Sequence, residues 1–446
     1  MKAWSRAAEL AARTPPARER YVDFLRAVSI TVVIAGHWTA AAPHVDAAGT
    51  LTATHMLAVS PWTRWLTWVI QVMPIFFLVG GFANGSSWQA ARRNGQSYAA
   101  WLDSRMRRLV GPVLSLIAAW VLIGVLAHFY GVSAERIRIA SQMALIPIWF
   151  LAVYLGVVVL VPLTHALWER FGMASYWSLV AAAIAVDVAF FSGLRWLGWS
   201  NYLFVWSANH QLGYAWRDGK LSDTKRTLGM AAAGLVALVG LTQLGPYPAS
   251  MVGVPGEGIS NTTPPKITLL ALAALQTGLL LSLQAPARRF LARSAAWTAT
   301  VLVNGMIMTI YLWHLTAMVL LIALLYALGG FGLKLEPGTG AWWSSRPLWL
   351  AVVALTLVPF VLALARFERP KRGLERQPLP AWRLVAGAFV VCAGLALLAL
   401  DGIAGEGWFG LRVGVLALPF AGAALVGRGK RIAGTRHPST DAVTRG

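Results

Sequence analysis

The sequence predicts an all-α membrane protein, a polytopic transmembrane helical bundle of about twelve spans, and two observations support this prediction. Of the 446 residues, 57% are hydrophobic and only 12% are charged, so the chain has too little polar surface to cover a soluble globule of its size. Long apolar runs also recur along the chain, each close to the roughly 20 residues that cross a hydrocarbon core about 30 Å thick. The sequence therefore predicts that most of the chain lies in lipid, with 10 to 12 spans.

The apolar segments follow one another with short connections. Because none of these connections is long enough for a second folded domain, we expect one membrane domain at residues 22–427. It is flanked by a cytoplasmic N-terminal segment, residues 1–21, and by a disordered cytoplasmic tail, residues 428–446. The predicted spans are residues 24–41, 66–84, 109–129, 144–164, 176–194, 197–216, 227–244, 267–284, 299–328, 348–365, 382–400 and 409–427.

Basic residues are dense in every second connection between the spans. If the N-terminus is cytoplasmic, the segments on that side hold 29 of the 38 Lys and Arg residues, and the outer segments hold 8. This asymmetry is the positive-inside pattern, and it predicts a multi-pass protein of a bacterial cytoplasmic membrane with both termini in the cytoplasm. A basic surface for nucleic acid would not alternate with hydrophobic spans, so the net charge of +21 does not indicate a nucleic-acid partner.

The chain has a single cysteine, Cys392, which lies in an apolar run. Neither a disulfide nor a thiolate metal cluster can therefore form within one chain. We expect no metal and no tightly bound cofactor.

The first span carries two cationic or ionisable side chains, Arg26 and His37. Eleven residues of α-helix make about three turns, so both side chains lie on nearly the same face, about 16 Å apart along the helix axis. An imidazole at this depth is costly unless it faces protein or water, which favours a functional role for His37 over a packed histidine. For Arg26 the alternative is an arginine that extends its head to the inner interface.

Other polar residues fall inside later spans. His314 follows Tyr311 by three residues on nearly the same helical face, and Asn304 precedes Tyr311 by one heptad. These groups are candidates for lining a cavity, although hydrogen bonds between helices explain them equally well. Asp187 is the one carboxylate well inside a span, so it needs a partner, and a histidine is one candidate.

Several short motifs occur in a fixed order along the chain. They are Arg26 with His37, the run Pro74-Ile75-Phe76-Phe77-Leu78-Val79-Gly80-Gly81-Phe82, the run Arg105-Met106-Arg107-Arg108-Leu109, Trp149-Phe150-Leu151, and Ile310-Tyr311-Leu312-Trp313-His314. In this combination the chain resembles the acyltransferase 3 family of integral membrane acyltransferases over roughly residues 18–368. One departure is Gly80, because members of the family often have serine at that place.

The resemblance implies transfer of an acyl group other than an aminoacyl group from acyl-CoA to a sugar-like or lipid-linked acceptor. Acetyl-CoA is the expected donor, with succinyl or longer chains as alternatives. The acceptors left open are a cell-wall glycan, a glycolipid, a trehalose lipid and a secondary metabolite. Trp149 then joins the candidates for the cavity.

The basic run before the third span is the expected donor site. Acyl-CoA is made in the cytoplasm, and the guanidinium groups of Arg105, Arg107 and Arg108 suit its phosphate oxygens. Without the resemblance, ordinary positive-inside charge explains these arginines better. In the family the Arg-x-x-Arg element is the proposed acyl-CoA contact, and Arg26 would hold a deeper part of the donor or stabilise oxyanion charge.

His37 is the expected general base, taking the proton of the acceptor hydroxyl during attack on the thioester. A covalent acyl-histidine intermediate is the alternative mechanism. The outer loop at residues 246–265 would contact the acceptor, or it is a turn-rich connector.

A polytopic secondary transporter is the alternative function, since it would also bury His, Asp and Asn in many spans. The chain lacks the internal repeat typical of many transporters. A lipid-linked glycosyltransferase would need acidic residues on the first outer loop, where only Asp46 stands. A scaffold would have little reason to keep ionisable residues at lipid depth.

Overall fold

The computed structural model describes residues 2–16, 18–365 and 379–427, and most of them are α-helical. The first half contains α1 Lys2–Ala12, α2 Arg20–Ala40, β1 Ala41–Val45, β2 Leu51–His55, α3 Met56–Val59, α4 Thr67–Ile70, α5 Met73–Arg93, α6 Tyr98–Phe129, α7 Ala134–Leu145, α8 Pro147–Val159, α9 Val161–Phe171, α10 Met173–Phe191 and α11 Asn201–Arg217. The second half contains α12 Thr224–Gln243, α13 Thr268–Ser282, α14 Gln284–Leu291, α15 Ser294–Asn304, α16 Ile307–Ala327, α17 Gly340–Leu364, α18 Ala381–Asp401 and α19 Val413–Gly427. Short 3-10 helices lie at Pro61–Leu66, Arg195–Ser200 and Trp408–Gly410.

Among these residues, seven helices are long and apolar enough to cross a membrane, and the number rises to nine if each of two bent pairs counts as one span. The bent pairs are α7 with α8, at 49°, and α13 with α14, at 54°. Every one of the twelve predicted segments overlaps a helix, so the prediction of a mainly helical multi-pass protein is confirmed. The count of twelve spans stays a prediction. The predicted tail at 428–446 lies outside the described residues.

The first predicted span is α2, whose first turn is capped by the Glu19 side chain accepting a hydrogen bond from the Tyr21 amide. Its 21 residues give a length of about 31 Å, enough to cross a hydrocarbon core. Polar side chains, among them Asp23 and Arg26, lower its hydropathy, and it is not among the seven. We call the end of the bundle where α2 begins the inner end and the end where α2 finishes the outer end.

An antiparallel β-hairpin follows α2 directly, pairing β1 with β2 in the register Ala41↔His55. The all-α prediction did not include it. The two strands have five residues each, and the first contains Pro43, so little in the local sequence indicates a strand. A distant segment holds it in place instead, since the Val45 amide donates to the Leu333 carbonyl oxygen at 2.8 Å.

Two glycines let α5 and α11 approach each other closely. A Cβ atom on Gly81 would lie 1.8 Å from the His210 carbonyl oxygen, and one on Gly213 would lie 2.2 Å from the Leu78 carbonyl oxygen. Only glycine fits at these positions. The contact brings Asn84 of α5 to His210 of α11, and its amide nitrogen donates to His210 Nε2 at 3.2 Å.

The long outer loop at residues 245–267 is fastened to the bundle by a buried carboxylate. Asp187 on α10 accepts hydrogen bonds from Asn201 Nδ2 at 2.9 Å, the Tyr247 hydroxyl at 3.0 Å and the Ile267 amide at 2.9 Å. Its partners are therefore an amide, a phenol and a backbone N–H rather than the histidine that the sequence suggested. Each end of the loop is anchored by one of these donors.

The N-terminal segment is also fixed to the bundle at its inner end. The Trp297 indole N–H of α15 donates to Thr14 Oγ1 at 3.0 Å, and Glu19 forms an ion pair with Arg288 of α14 at 2.5 Å. These contacts place the start of α2 beside α14 and α15.

Candidate active site

A cavity of about 680 Å³ opens among α2, α5, α6 and α8 at the inner end of the bundle. Three of the predicted arginines line it together: Arg26 from α2 and Arg105 and Arg108 from α6. Arg18 contributes a fourth guanidinium group. The wall of the cavity, which also includes the carboxylates of Glu19 and Asp23, therefore carries net positive charge, as an anionic ligand would require.

A carboxylate within this wall orients two of the arginines. The nearly buried Asp23 accepts a hydrogen bond from Arg18 Nε at 2.6 Å and forms an ion pair with Arg26 Nη1 at 3.2 Å. The sequence pattern alone did not single out Asp23. The spacing i, i+3 between Asp23 and Arg26 on one helix was the available signal.

Arg107 lies apart from Arg105 and Arg108. It pairs with Asp103, one turn earlier on α6, at 2.8 Å, and its side chain is 40% exposed. It is not among the residues that line the inner cavity. The structure thus separates the predicted arginine cluster into two cavity residues and one surface residue.

Gly80, where the family often has serine, faces the same cavity. A Cβ atom at this position would lie 2.8 Å from Cε2 of the Tyr154 ring. Tyr154 also lines the cavity, and its hydroxyl oxygen accepts a hydrogen bond from Asn84 Nδ2 at 3.1 Å. The missing side chain at Gly80 makes room for this ring.

A second cavity, of about 500 Å³, lies at the outer end of α2. Its wall includes His37 at the end of α2, His55 at the end of β2, and the aromatic side chains of Trp149, Trp199 and Tyr202. The outer loop at 245–267 contributes Val252, Gly253, Thr262 and Thr263. Such a cavity, mainly apolar with a few polar groups, is typical of a site for an organic ligand.

His37 is hydrogen-bonded to His314 on α16, with 2.9 Å between His37 Nδ1 and His314 Nε2 and ring planes only 7° apart. His314 is fully buried, and its Nδ1 lies 2.6 Å from the Tyr311 carbonyl oxygen. A carbonyl oxygen only accepts, so His314 Nδ1 carries a proton and, in the neutral ring, His314 Nε2 is an acceptor. His37 Nδ1–H is then the donor, which leaves the lone pair on His37 Nε2.

Other contacts fix the position of this histidine pair. The Trp38 indole N–H donates to the His314 carbonyl oxygen at 3.0 Å, and the Trp349 indole N–H donates to the Trp38 carbonyl oxygen at 2.9 Å. Among the described residues, no hydrogen-bond partner lies at His37 Nε2. The arrangement therefore holds a neutral base at the wall of the outer cavity.

Tyr311 lines both cavities, and it is the side chain that stands between them on α16. Its hydroxyl donates to the Pro147 carbonyl oxygen at 2.8 Å, at the bend between α7 and α8. The ring of Phe150, which belongs to the inner cavity, packs edge-on against it at 5.9 Å. The inner and outer cavities thus approach each other in the middle of the bundle.

Three of the residues predicted to line a cavity, His314, Asn304 and Asp187, are not in the wall of either one. His314 lies behind His37, to which it is hydrogen-bonded. Asn304 Nδ2 donates to the carbonyl oxygens of Asp23 and Thr300, each at 2.9 Å, so it joins α15 to α2. Asp187 fastens the outer loop. Trp149, by contrast, lines the outer cavity as expected.

His55 is not among the site residues that the sequence predicts. It lies in a connection between spans, where a histidine can contact water and its position carries no sign of a functional role. Only the hairpin register brings it beside the end of α2.

Comparison with known proteins gives one match. A family model described as an acyltransferase domain matches residues 19–365, from the cap of α2 to the end of α17. No curated protein and no solved structure matches the chain. The matched region contains Arg26, His37, Arg105, Arg108 and His314.

Proposed function

The chain belongs to the acyltransferase 3 family of membrane acyltransferases, and from this premise we propose that it is an O-acyltransferase of a bacterial cytoplasmic membrane. It moves an acyl group, with acetyl as the expected cargo, from cytoplasmic acyl-CoA to a hydroxyl of an exported carbohydrate, glycolipid or related acceptor. One observation supports this most strongly: an arginine-lined cavity and a histidine-bearing cavity approach each other at Tyr311.

The inner cavity suits the donor. Arg26, Arg105 and Arg108 present guanidinium groups to one space, and such groups bind phosphate oxygens through paired hydrogen bonds. The nucleotide end of acyl-CoA carries several phosphate charges. With those phosphates held at the arginines, the thioester arm extends towards Tyr311 and His37.

The outer cavity suits the acceptor. Its walls are mainly apolar and aromatic, and Trp149, Trp199 and Tyr202 offer flat faces to a sugar ring or an alkyl chain. The loop residues Thr262 and Thr263 add polar groups at its rim. An acceptor exported across the membrane would enter from this side.

His37 provides general-base catalysis in this proposal. Its Nε2 lone pair takes the proton from the acceptor hydroxyl while the oxygen attacks the thioester carbonyl carbon. The tetrahedral intermediate then collapses, the C–S bond breaks, and the CoA thiolate takes the proton back from Nε2. The products are the acyl ester and free CoA, and His37 returns to its neutral form.

We propose twelve spans, with both termini in the cytoplasm, as the topology of this enzyme. The charge asymmetry and the overlap of all twelve segments with helices support it. A reporter fused after Pro286 is expected in the cytoplasm, and one inserted near Gly256 is expected outside. Two reporters on the same side of the membrane would contradict this topology.

The function is tested with His37→Ala and the matched control His128→Ala, since His128 is exposed at the end of α6 and lines neither cavity. Inside-out membrane vesicles from the strain that makes the chain receive isotope-labelled acetyl-CoA. We measure label in the glycan and lipid fractions and identify the acceptor by mass spectrometry. The parent and His128→Ala should incorporate label and His37→Ala should not, with donor binding retained. Equal incorporation by the parent and by vesicles lacking the chain would exclude the proposed function.

A further inference from the structure

His55 has a defined proton position. Its Nδ1 accepts a hydrogen bond from the Leu57 amide at 3.2 Å and so caps the N-terminus of α3. A ring nitrogen that accepts carries no proton, so the proton of the neutral imidazole is on Nε2. Burial lowers the pKa of His55 below its usual 6.5, which keeps the ring neutral at physiological pH. His55 therefore offers an N–H donor at Nε2.

The hairpin places His55 beside His37. His55 pairs directly with Ala41, which follows His37 by four residues at the end of α2. Directly opposite residues of an antiparallel pair have Cα atoms about 4.5 to 5.5 Å apart, and four residues of helix rise about 6 Å. The Cα atoms of the two histidines therefore lie no more than about 11 Å apart, and both side chains line the outer cavity.

Several other polar side chains of this cavity are already committed to backbone partners. The Thr67 hydroxyl donates to the Arg64 carbonyl oxygen, and the Tyr311 hydroxyl donates to the Pro147 carbonyl oxygen. The Thr262 hydroxyl and the Gln71 side-chain amide both donate to the Met251 carbonyl oxygen. The three hydroxyl hydrogens and one N–H of Gln71 are therefore already hydrogen-bonded within the protein. His55 Nε2–H has no such partner among the described residues.

The two imidazoles are complementary. His37 presents a lone pair at Nε2, and His55 presents an N–H at Nε2. Acyl transfer needs both, because the attacking hydroxyl must lose a proton while negative charge develops on the carbonyl oxygen.

We propose that His55 is a second catalytic residue, whose Nε2–H donates a hydrogen bond to the thioester carbonyl oxygen and stabilises the oxyanion of the tetrahedral intermediate. This inference rests on the proposed function. The acceptor oxygen forms the new C–O bond, its proton goes to His37 Nε2, and the carbonyl electron pair becomes the oxyanion held by His55. When the C–S bond breaks, the thiolate takes the proton from His37, and the His55 proton stays on its ring throughout.

Two variants separate the roles of the two ring nitrogens. In His55→Ser the hydroxyl oxygen can still accept from the Leu57 amide, because serine is a good N-cap, but no donor remains at the Nε2 position. In His55→Gln the longer amide can place an N–H near the Nε2 position, while the cap is weakened. We expect His55→Ser to be the more stable variant and His55→Gln to be the more active one.

The experiment uses the same vesicles with labelled acetyl-CoA at saturation, together with acetyl-CoA affinity and thermal stability of the purified chains. His55→Ser should transfer label about 10²-fold or more slowly, the usual effect of removing one oxyanion donor, with unchanged acetyl-CoA affinity. His55→Gln should recover part of this loss. A transfer rate within about twofold of the parent in His55→Ser, or rates that follow thermal stability across the two variants, would overturn the proposal.

The same experiment separates this inference from the function on which it rests. If the parent transfers label and His37→Ala does not, the function stands, and the His55 variants decide the inference alone. If the parent transfers none, both are overturned.

Discussion

The bond between His37 and His314 gives a prediction that can be worked from the structure. His314→Leu removes the ring nitrogen that accepts from His37 Nδ1–H at 2.9 Å. His37 then loses the partner that fixes its tautomer and its orientation. In the matched variant His314→Gln, an amide oxygen remains near the lost nitrogen and can accept the same proton.

The expected losses follow from the strength of such a bond. A hydrogen bond between neutral groups contributes about 0.5 to 1.5 kcal/mol, which corresponds to roughly 2- to 13-fold in rate. A buried N–H left without a partner costs about 1 to 3 kcal/mol of stability. His314→Leu should therefore reduce kcat about tenfold and lower the Tm, whereas His37→Ala should lose about 10²- to 10⁴-fold.

The assay measures label transfer in vesicles at saturating acetyl-CoA, with Tm and donor affinity measured on purified protein. His314→Gln should be closer to the parent than His314→Leu in both rate and Tm. A rate for His314→Leu as low as that of His37→Ala, with donor affinity intact, would mean that His314 itself accepts the proton. Parent-like rate and Tm in His314→Leu would refute the role of the pair in positioning the base.

Three further predictions concern the donor cavity, the outer loop and pH. Replacing Arg105 and Arg108 together by Glu should weaken acetyl-CoA binding at least tenfold, whereas Arg107→Glu, outside the cavity, should not. Equal weakening by both changes would mean that the overall charge of this surface, and not the cavity, binds acetyl-CoA. Asp187→Ala removes the acceptor of three hydrogen bonds, so the free energy of unfolding, measured with denaturant, should fall by about 3 kcal/mol or more, and an unchanged stability would contradict the anchoring role. Because the pKa of His55 is lower in the folded chain than its usual 6.5, the unfolded chain takes up a proton first as pH falls. The stability of the parent should therefore drop from about pH 7 downwards, and that of His55→Ser should drop less. Identical pH profiles of Tm for the two proteins would exclude this contribution.

Much of the fold followed from hydrophobicity and helix geometry. All twelve apolar segments overlap a helix, as expected where lipid leaves the backbone no partner except itself. The eleven-residue spacing of Arg26 and His37 placed both on one side of α2, and each lines a cavity. Within the basic run, the sequence could not separate Arg107 from Arg105 and Arg108, because helix register alone does not say which neighbour each side chain meets.

The β-hairpin could not be predicted from the local sequence. Its strands are short, one contains Pro43, and their position depends on the Leu333 carbonyl oxygen from a loop almost three hundred residues later. Asp187 is a similar case, because the need for a partner was evident but the choice of Asn201, Tyr247 and the Ile267 amide was not.

The sequence by itself determined that the chain is a mainly helical membrane protein of an acyltransferase family. It also predicted the number of spans, the side of the membrane that carries positive charge and the base at His37. These properties depend on composition and on periodicities within single helices. Only the tertiary structure decided which atom of His37 is free, because its partner His314 lies 277 residues away. It alone brought His55 to the same cavity, through the pairing of His55 with Ala41. Proton positions and cavity walls are set by packing between distant segments, and no local pattern encodes that packing.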